Sequence, residues 1–237
     1  MIKSIILAAG KGTRMKSDNP KVLHTIFDKT LLGYVIDAVN NTGLADENFV
    51  IVGHQADKVE EFVTSNYNNA RCILQSPQLG TGHAVKMAKD TINDDDIIVV
   101  LCGDTPLIEE ETLKKLFDYH LENEYMATVL TTKVDDPTGY GRVIRDSEGN
   151  FEKIVEQKDA NEEELAVNEI NSGIYCFKGD KLKEALDLLD NNNAQGEYYL
   201  TDTMKIIKDR GSKVGAFVGA TIEELMGVNS RVQLSQA

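Results

Sequence analysis

Alternating apolar runs and helical periodicities place this chain in the α/β class. The expected architecture is a central, mostly parallel mixed sheet flanked by helices, with a β-rich lobe in the second half. Three observations predict it. Ile2–Leu7, Phe49–Val52, Ile73–Leu74 and Ile97–Leu101 are short apolar runs of strand character. Between them, Leu31–Asn41, Asp57–Asn66 and Gly82–Ile92 carry helical spacing. From Met126 onward, alternating β-branched runs and turn-forming sets take over. Strands that alternate with helices across short joints pack as a parallel sheet covered on both faces.

Each element follows from its own residues. Ile2–Leu7 is a buried strand that opens onto a glycine-rich basic loop. Leu113, Leu116, Phe117 and His120 or Leu121 repeat at i, i+3, i+4 and i+7, which predicts one more helix after the fourth strand. Met126–Val134 alternates as a strand does. Arg142–Arg145 and Phe151–Val155 flank Asp146-Ser147-Glu148-Gly149-Asn150, and together read as a hairpin. The acids from Asp159 to Glu169 read as a solvated loop or helix face. A strand at Ile170–Phe177, helices at Lys181–Leu189 and Thr203–Asp209, and a strand at Val214–Val218 complete the unit. Residues 1–229 are therefore expected to form one domain. Residues 230–237 read as the start of a linker helix without a stop signal.

Composition narrows the function classes. With 41% hydrophobic and 27% charged residues over 237 positions, the chain is an ordinary globular protein with enough length for a substantial core. No apolar stretch approaches the roughly 20 residues of a membrane span. The N-terminus runs straight into a strand, without a signal-peptide pattern, so a cytoplasmic protein without membrane attachment is expected. A formal charge of −14 disfavours nucleic acid. Cys72, Cys102 and Cys176 are scattered through apolar runs and read as small core residues, neither metal ligands nor a disulfide. Cys102 alone adjoins a candidate site.

Against that acidic background, residues 10–24 hold Lys11, Arg14, Lys16 and Lys21 against the single acid Asp18, a local net of +3. The loop reads Leu7-Ala8-Ala9-Gly10-Lys11-Gly12-Thr13-Arg14-Met15, followed by Pro20-Lys21. Glycines let backbone N–H groups approach an anion, and the cations supply charge. The dinucleotide fingerprint fails, because it needs glycine where Met15 stands. The Walker loop fails as well. A small anionic ligand, most simply a phosphate, is expected at the carboxyl end of the first strand.

Two further motifs fit such a ligand. Leu101-Cys102-Gly103-Asp104 ends a buried run in a carboxylate, well placed to hold a hard cation beside phosphates. Gln75, followed by Gly80-Thr81-Gly82-His83, offers an amide for the edge of a pyrimidine, with Gly80 letting a base or ribose lie against the backbone. Thr81 reads as the N-cap of the following helix, and His83 as a structural residue inside it. In the β-rich half, Gly141 sits in a turn, Glu156 at a strand end and Asn171 at a strand start; the last two suit sugar hydroxyls and an acetamido group. Asn229, after Gly227-Val228, reads equally as a turn residue.

Taken in order, these motifs resemble the uridyltransferase domain of the bacterial bifunctional N-acetylglucosamine-1-phosphate uridyltransferase/glucosamine-1-phosphate acetyltransferases. Gln78-Leu79-Gly80-Thr81-Gly82-His83-Ala84, Gly139-Tyr140-Gly141-Arg142, Glu169-Ile170-Asn171, Glu197-Tyr198-Tyr199-Leu200-Thr201-Asp202 and Gly227-Val228-Asn229 carry the likeness. The resemblance implies a Rossmann-like nucleotidyltransferase domain with a sugar-binding β-rich lobe. Leu7, Ala8, Ala9, Gly10, Gln75, Gly80 and Thr81 would hold the uridine nucleotide, with Arg14 and Lys21 on its phosphates. Gly141, Glu156 and Asn171 would bind the N-acetylglucosamine moiety, with Asn229 beside them. Asp104 and Asn229 would ligate magnesium, which makes Arg14, Lys21 and Asp104 the expected catalytic set. The implied reaction joins UTP and N-acetylglucosamine 1-phosphate into UDP-N-acetylglucosamine and pyrophosphate, feeding peptidoglycan and other envelope precursors. The family's acetyltransferase domain has no counterpart in these 237 residues. A monomer is expected for this chain, against a trimer for the family's full-length proteins. A transferase using CTP, dTTP or GTP, or a non-catalytic nucleotide-sugar sensor, are the competing readings.

Overall fold

The computed structural model describes residues 1–236; Ala237, the last residue of the expected 230–237 helix, lies outside them. The first half runs β1 (Ile2–Ala8), a small hairpin β2 (Thr25–Ile26) and β3 (Lys29–Thr30), α1 (Leu31–Asn41), β4 (Glu47–Val52), α2 (Ala56–Asn66), β5 (Ala70–Leu74), α3 (Thr81–Met87), β6 (Ile97–Cys102) and α4 (Glu110–Glu122). The second half adds β7 (Ala127–Lys133), β8 (Arg142–Arg145), β9 (Phe151–Val155), α5 (Glu162–Leu165), β10 (Glu169–Lys178), α6 (Gly179–Leu188), α7 (Thr201–Asp209), β11 (Val214–Val218) and α8 (Arg231–Gln236).

Nine strands form one sheet, in the order β11-β7-β10-β6-β1-β4-β5, with β8 and β9 branching from β10. Strand β1 pairs in parallel with β4 on one side and β6 on the other. The chain thus leaves β1 in one direction, returns, and continues in the other. That reversal opens a crevice at the carboxyl ends of these strands, where such sheets bind ligands. Strand β10 runs antiparallel to β6 and β7, and β11 parallel to β7, so the sheet is mixed as expected.

Side chains alternate across each strand, and both faces are buried. Ile5, Ile51 and Val100 join a core completed by Val85 of α3, Leu182 of α6 and Met204 of α7. Ile6, Val50 and Val99 point the other way, onto Val35 of α1, Val59 of α2 and Leu116 of α4. Burial on both faces is why the strands read as continuous apolar runs.

The structure corrects the sequence reading in two places. The expected helix over 82–92 ends at Met87 and passes into a 3-10 turn at Lys89–Thr91. The amide and hydroxyl of Thr91 both donate to the Ala88 carbonyl, at 2.9 and 2.7 Å, and tighten the chain there. The acidic stretch is also less uniform than expected. Asn161 opens α5 with a capping box to Glu164. Glu169, however, is buried: it takes paired bonds from Arg145 Nε and Nη2, both 2.7 Å, and a third from Thr131.

Candidate active site

A cavity of about 640 Å³ opens at the carboxyl ends of β1 and β6. Leu7, Ala8, Ala9, Gly10, Lys11, Lys21, Gln75, Gln78, Gly80, Thr81, Cys102 and Asp104 are among its lining residues. Its size suits a nucleotide-sized ligand. A side chain at Gly10 would meet no protein atom within 4 Å, so the backbone there faces open space. Gly12 has a different reason to be glycine. Its φ is +58°, and a Cβ would stand 2.6 Å from Cβ of Lys21. The bend at Gly12 therefore brings the 20–24 segment, and with it Lys21, to the cavity wall.

Not every expected phosphate ligand reaches that wall. Arg14 sits exposed on the 3-10 turn Thr13–Met15, outside the cavity lining, and Lys11 lines it instead. Gln78 is a brace that sequence reasoning passed over. Its Nε2 donates to the Ala9 carbonyl and ties the β5 loop to the glycine-rich loop.

Lys21, Asp104 and Asn229 converge although they lie far apart in sequence. The Lys21 ammonium forms an ion pair with Asp104 and donates to Oδ1 of Asn229 at 2.9 Å. Local packing delivers each partner. Asp104 follows β6 directly. Val228 donates its N–H to the Asp104 carbonyl at 2.8 Å and buries its side chain with Met15 and Leu31. Arg231 Nε donates to the Met15 carbonyl at 3.1 Å, closing the C-terminal segment over the loop. Two hard oxygen donors thus face one positive group, and the ammonium marks a position that fits a hard cation. Among the described residues, no group of three or more His, Cys, Asp or Glu side chains could hold a metal. A single carboxylate beside an amide is the sparse donor set that magnesium completes with substrate oxygens and water.

Gln75, which also lines the cavity, is buried, and its Nε2 lies 3.0 Å from both the Gly80 carbonyl and His83 Nδ1. Thr81 is not the cap that its type suggests. Gly80 occupies the N-cap, with φ of +111°, and Thr81 is the first helical residue. The Thr81 hydroxyl accepts from the Leu200 N–H at 3.1 Å instead, across to the start of α7. Gly80 also owes its identity to a neighbour: a Cβ there would stand 2.6 Å from the Tyr198 carbonyl oxygen.

Gly141, Glu156 and Asn171 come together on the β-rich lobe, outside the cavity lining. A Cβ on Gly141 would lie 3.4 Å from both Glu156 carboxylate oxygens, and the Asn171 N–H donates to the Gly141 carbonyl at 2.9 Å. Asn171 Oδ1 accepts from the Gly173 N–H and the Tyr175 hydroxyl, both at 3.0 Å, and among the described residues its NH₂ has no hydrogen-bond partner. Burial, reinforced by Asp202 and Asp159, raises the Glu156 pKa. Cys102 connects the lobe to the cavity, with Sγ 3.8 Å from the Gly173 carbonyl oxygen. Burial and Asp104 push its thiol up to about 12, so it stays protonated.

The model of a family described as "Nucleotidyl transferase" matches residues 3–222. The chain belongs to the nucleotidyl transferase family. It is 66% identical over 235 residues to the "Bifunctional protein GlmU" of Clostridioides difficile (strain 630), covering 99% of this chain and 50% of that protein. It is 54% identical over 234 residues to the protein of the same name from Alkaliphilus oremlandii (strain OhILAs), with the same coverage. The chain therefore spans about half the length of the curated relatives it matches. Its fold is that of a crystal structure of UDP-glucose pyrophosphorylase complexed with UDP-glucose, with a TM-score of 0.79 at 20% identity, over 100% of this chain and 97% of that one.

Proposed function

We propose that this chain transfers uridylyl from UTP to N-acetylglucosamine 1-phosphate, giving UDP-N-acetylglucosamine and pyrophosphate. One observation carries the reading: a single cavity is lined both by Gln75, just after β5, and by Lys21 and Asp104, the latter just after β6, and β4 and β1 lie between those two strands. That separation suits a base at one end and the phosphates at the other. The 66% and 54% identity to two proteins named "Bifunctional protein GlmU" supports uracil and N-acetylglucosamine over other bases and sugars. Residues 1–229 are the catalytic unit in this reading. The reaction consumes a cytoplasmic nucleoside triphosphate, so the proposal places the chain in the cytoplasm. Among the described residues no helix is long and apolar enough to cross a membrane.

The chemistry needs no protein nucleophile. An oxygen of the sugar phosphate forms the new bond to the α-phosphorus, the α–β P–O bond breaks, and its electron pair leaves on pyrophosphate. The attacking oxygen is already ionised, so the protein supplies alignment and charge. Gly10 would let the backbone lie against the triphosphate, and Lys11, Lys21 and the more exposed Arg14 would offset its charge. Asn171 would donate to a sugar or acetamido oxygen, and Glu156 would accept from a hydroxyl. Asp104 and Asn229 would hold magnesium, whose charge stabilises the α-phosphate oxygens when bound.

The test is pyrophosphate release from a panel of nucleoside triphosphates and sugar 1-phosphates, with and without a chelator. UTP with N-acetylglucosamine 1-phosphate is expected to lead the panel, and chelation to abolish release. A different preferred triphosphate, or ligand binding without release, would overturn the assignment.

A further inference from the structure

We propose that His83 is a specificity-determining positioning residue. It holds the Gln75 amide so that only the carbonyl oxygen is offered to the base, which selects a base carrying an N–H on that edge. The inference rests on the uridine reading of the cavity and goes beyond it by naming the device that rejects cytosine.

The Gly80 carbonyl sets the orientation of the amide. A backbone carbonyl can only accept, so the amide atom 3.0 Å from it must be the NH₂ of Gln75. That NH₂ has two protons. One goes to Gly80. The other meets His83 Nδ1, also at 3.0 Å, so Nδ1 must be a lone pair and the imidazole neutral, with its proton on Nε2. Both amide protons are then spent inside the protein. Gln75, buried at the cavity wall, has only Oε1 left for a ligand.

The surroundings hold this arrangement in place. The Gly80 carbonyl cannot swing away, because the Gly82 N–H donates to the Tyr198 carbonyl at 2.8 Å and the Tyr198 N–H to the Leu79 carbonyl at 2.9 Å. His83 lies against the Tyr198 ring, with centroids 6.4 Å apart. Burial, and then the Lys86 ammonium, lower its pKa, which favours the neutral ring that the geometry requires.

An acceptor fixed at this edge pairs with N3–H of uracil or thymine. Cytosine presents an N3 lone pair there, so two acceptors would face each other in a buried site. A site built to hydrogen-bond one group strongly rejects the analogue that lacks it. The 5-methyl group of thymine lies on another edge, so this device leaves UTP and dTTP to be told apart elsewhere.

The test uses the 237-residue chain and its His83→Leu and His83→Asn variants. Pyrophosphate release gives kcat and KM for UTP and for CTP. With leucine the Gln75 amide loses one of its two anchors. The UTP-to-CTP ratio of kcat/KM should then fall by about tenfold, a loss carried by KM for UTP, in keeping with one mispaired hydrogen bond. Asparagine places an accepting oxygen near the Nδ1 position and should restore most of the ratio. Long-range ¹H–¹⁵N NMR of the histidine-labelled wild type should show the Nε2–H tautomer at His83, and this stands even where the leucine variant fails to fold. An unchanged ratio in His83→Leu, equal losses in both variants, or an Nδ1–H tautomer overturns the inference alone. A wild type that prefers CTP overturns the uridine reading along with it.

Discussion

Lys21 sits where its own charge would compete with the proposed magnesium. Its ammonium bridges Asp104 and Asn229, the two oxygen donors of the cradle. A divalent ion taking those oxygens would release the ammonium towards the phosphates beside it. Lys21→Ala is therefore expected to act in two directions. Turnover should fall about 10²-fold, as for the loss of one preorganised donor. The magnesium concentration giving half-maximal rate should fall as well, because a competing cation is gone. A magnesium titration of pyrophosphate release reads both, and a higher half-saturating concentration would contradict the competition. Lys21 and Asp104 were legible as candidates because basic loops and strand-end carboxylates have few other uses. Their direct bond was not legible, because 83 residues separate them and only the strand order brings them together. His83 shows the converse. A histidine inside a helix reads as structural until the direction of its ring is known.

At the scale of elements, β10 does more than complete the sheet. Against β7 its register jumps between Asn171, opposite Thr131, and Tyr175, opposite Val129, so the three intervening residues of β10 face the single residue Leu130 of β7. Gly173 turns this bulge with φ of +79°, and a Cβ there would lie 3.0 Å from Cys102 Sγ. The same bulge lets Asn171 Oδ1 accept two bonds, from the Gly173 N–H and the Tyr175 hydroxyl. Gly173→Ala should cost about 1–2 kcal/mol from the left-handed backbone alone, as measured by urea unfolding. It should also raise KM for the sugar phosphate more than KM for UTP. Sequence periodicity located this strand to within a residue at each end, as it did α1 and the β8–β9 hairpin, because those patterns are local. The bulge escaped it, and so did the cap at Gly80. Thr81 is a good capping residue in isolation, and only the approach of the α7 start gives its hydroxyl another partner.

For the molecule as a whole, buried His120 and half-buried Asp202 pull stability in opposite directions with pH. Burial, helped by Lys178, lowers the His120 pKa from 6.5 to about 4. The unfolded chain takes up a proton in that interval that the folded chain refuses, so His120 lowers stability as pH falls through it. Burial, with Asp190 and Asp159, raises the Asp202 pKa from 3.8 to about 6. Here the folded chain keeps the proton longer, so Asp202 lowers stability as pH rises through its interval. The two largely offset each other between about pH 4 and 6. Asp202→Asn removes one side of the balance. The variant should melt higher than wild type at pH 7.5 and lose stability more steeply on acidification from pH 6.5 to 4, as read by thermal unfolding across that range. The α/β class itself was legible at this scale from strand–helix alternation. The strand order was not, since nothing local says that β10 inserts antiparallel between β6 and β7.

The cradle also has a history in time. Its members emerge from the ribosome in the order Lys21, Asp104, Asn229, and Asn229 is held by Val228 and Arg231 folding back onto the loop that was made first. While the chain is being made, Lys21 can neutralise the Asp104 carboxylate, yet the second oxygen donor is missing until residues 228–231 have emerged. The nascent chain can therefore assemble its sheet without holding the cation, and the cradle is completed only once Asn229 and Arg231 are in place.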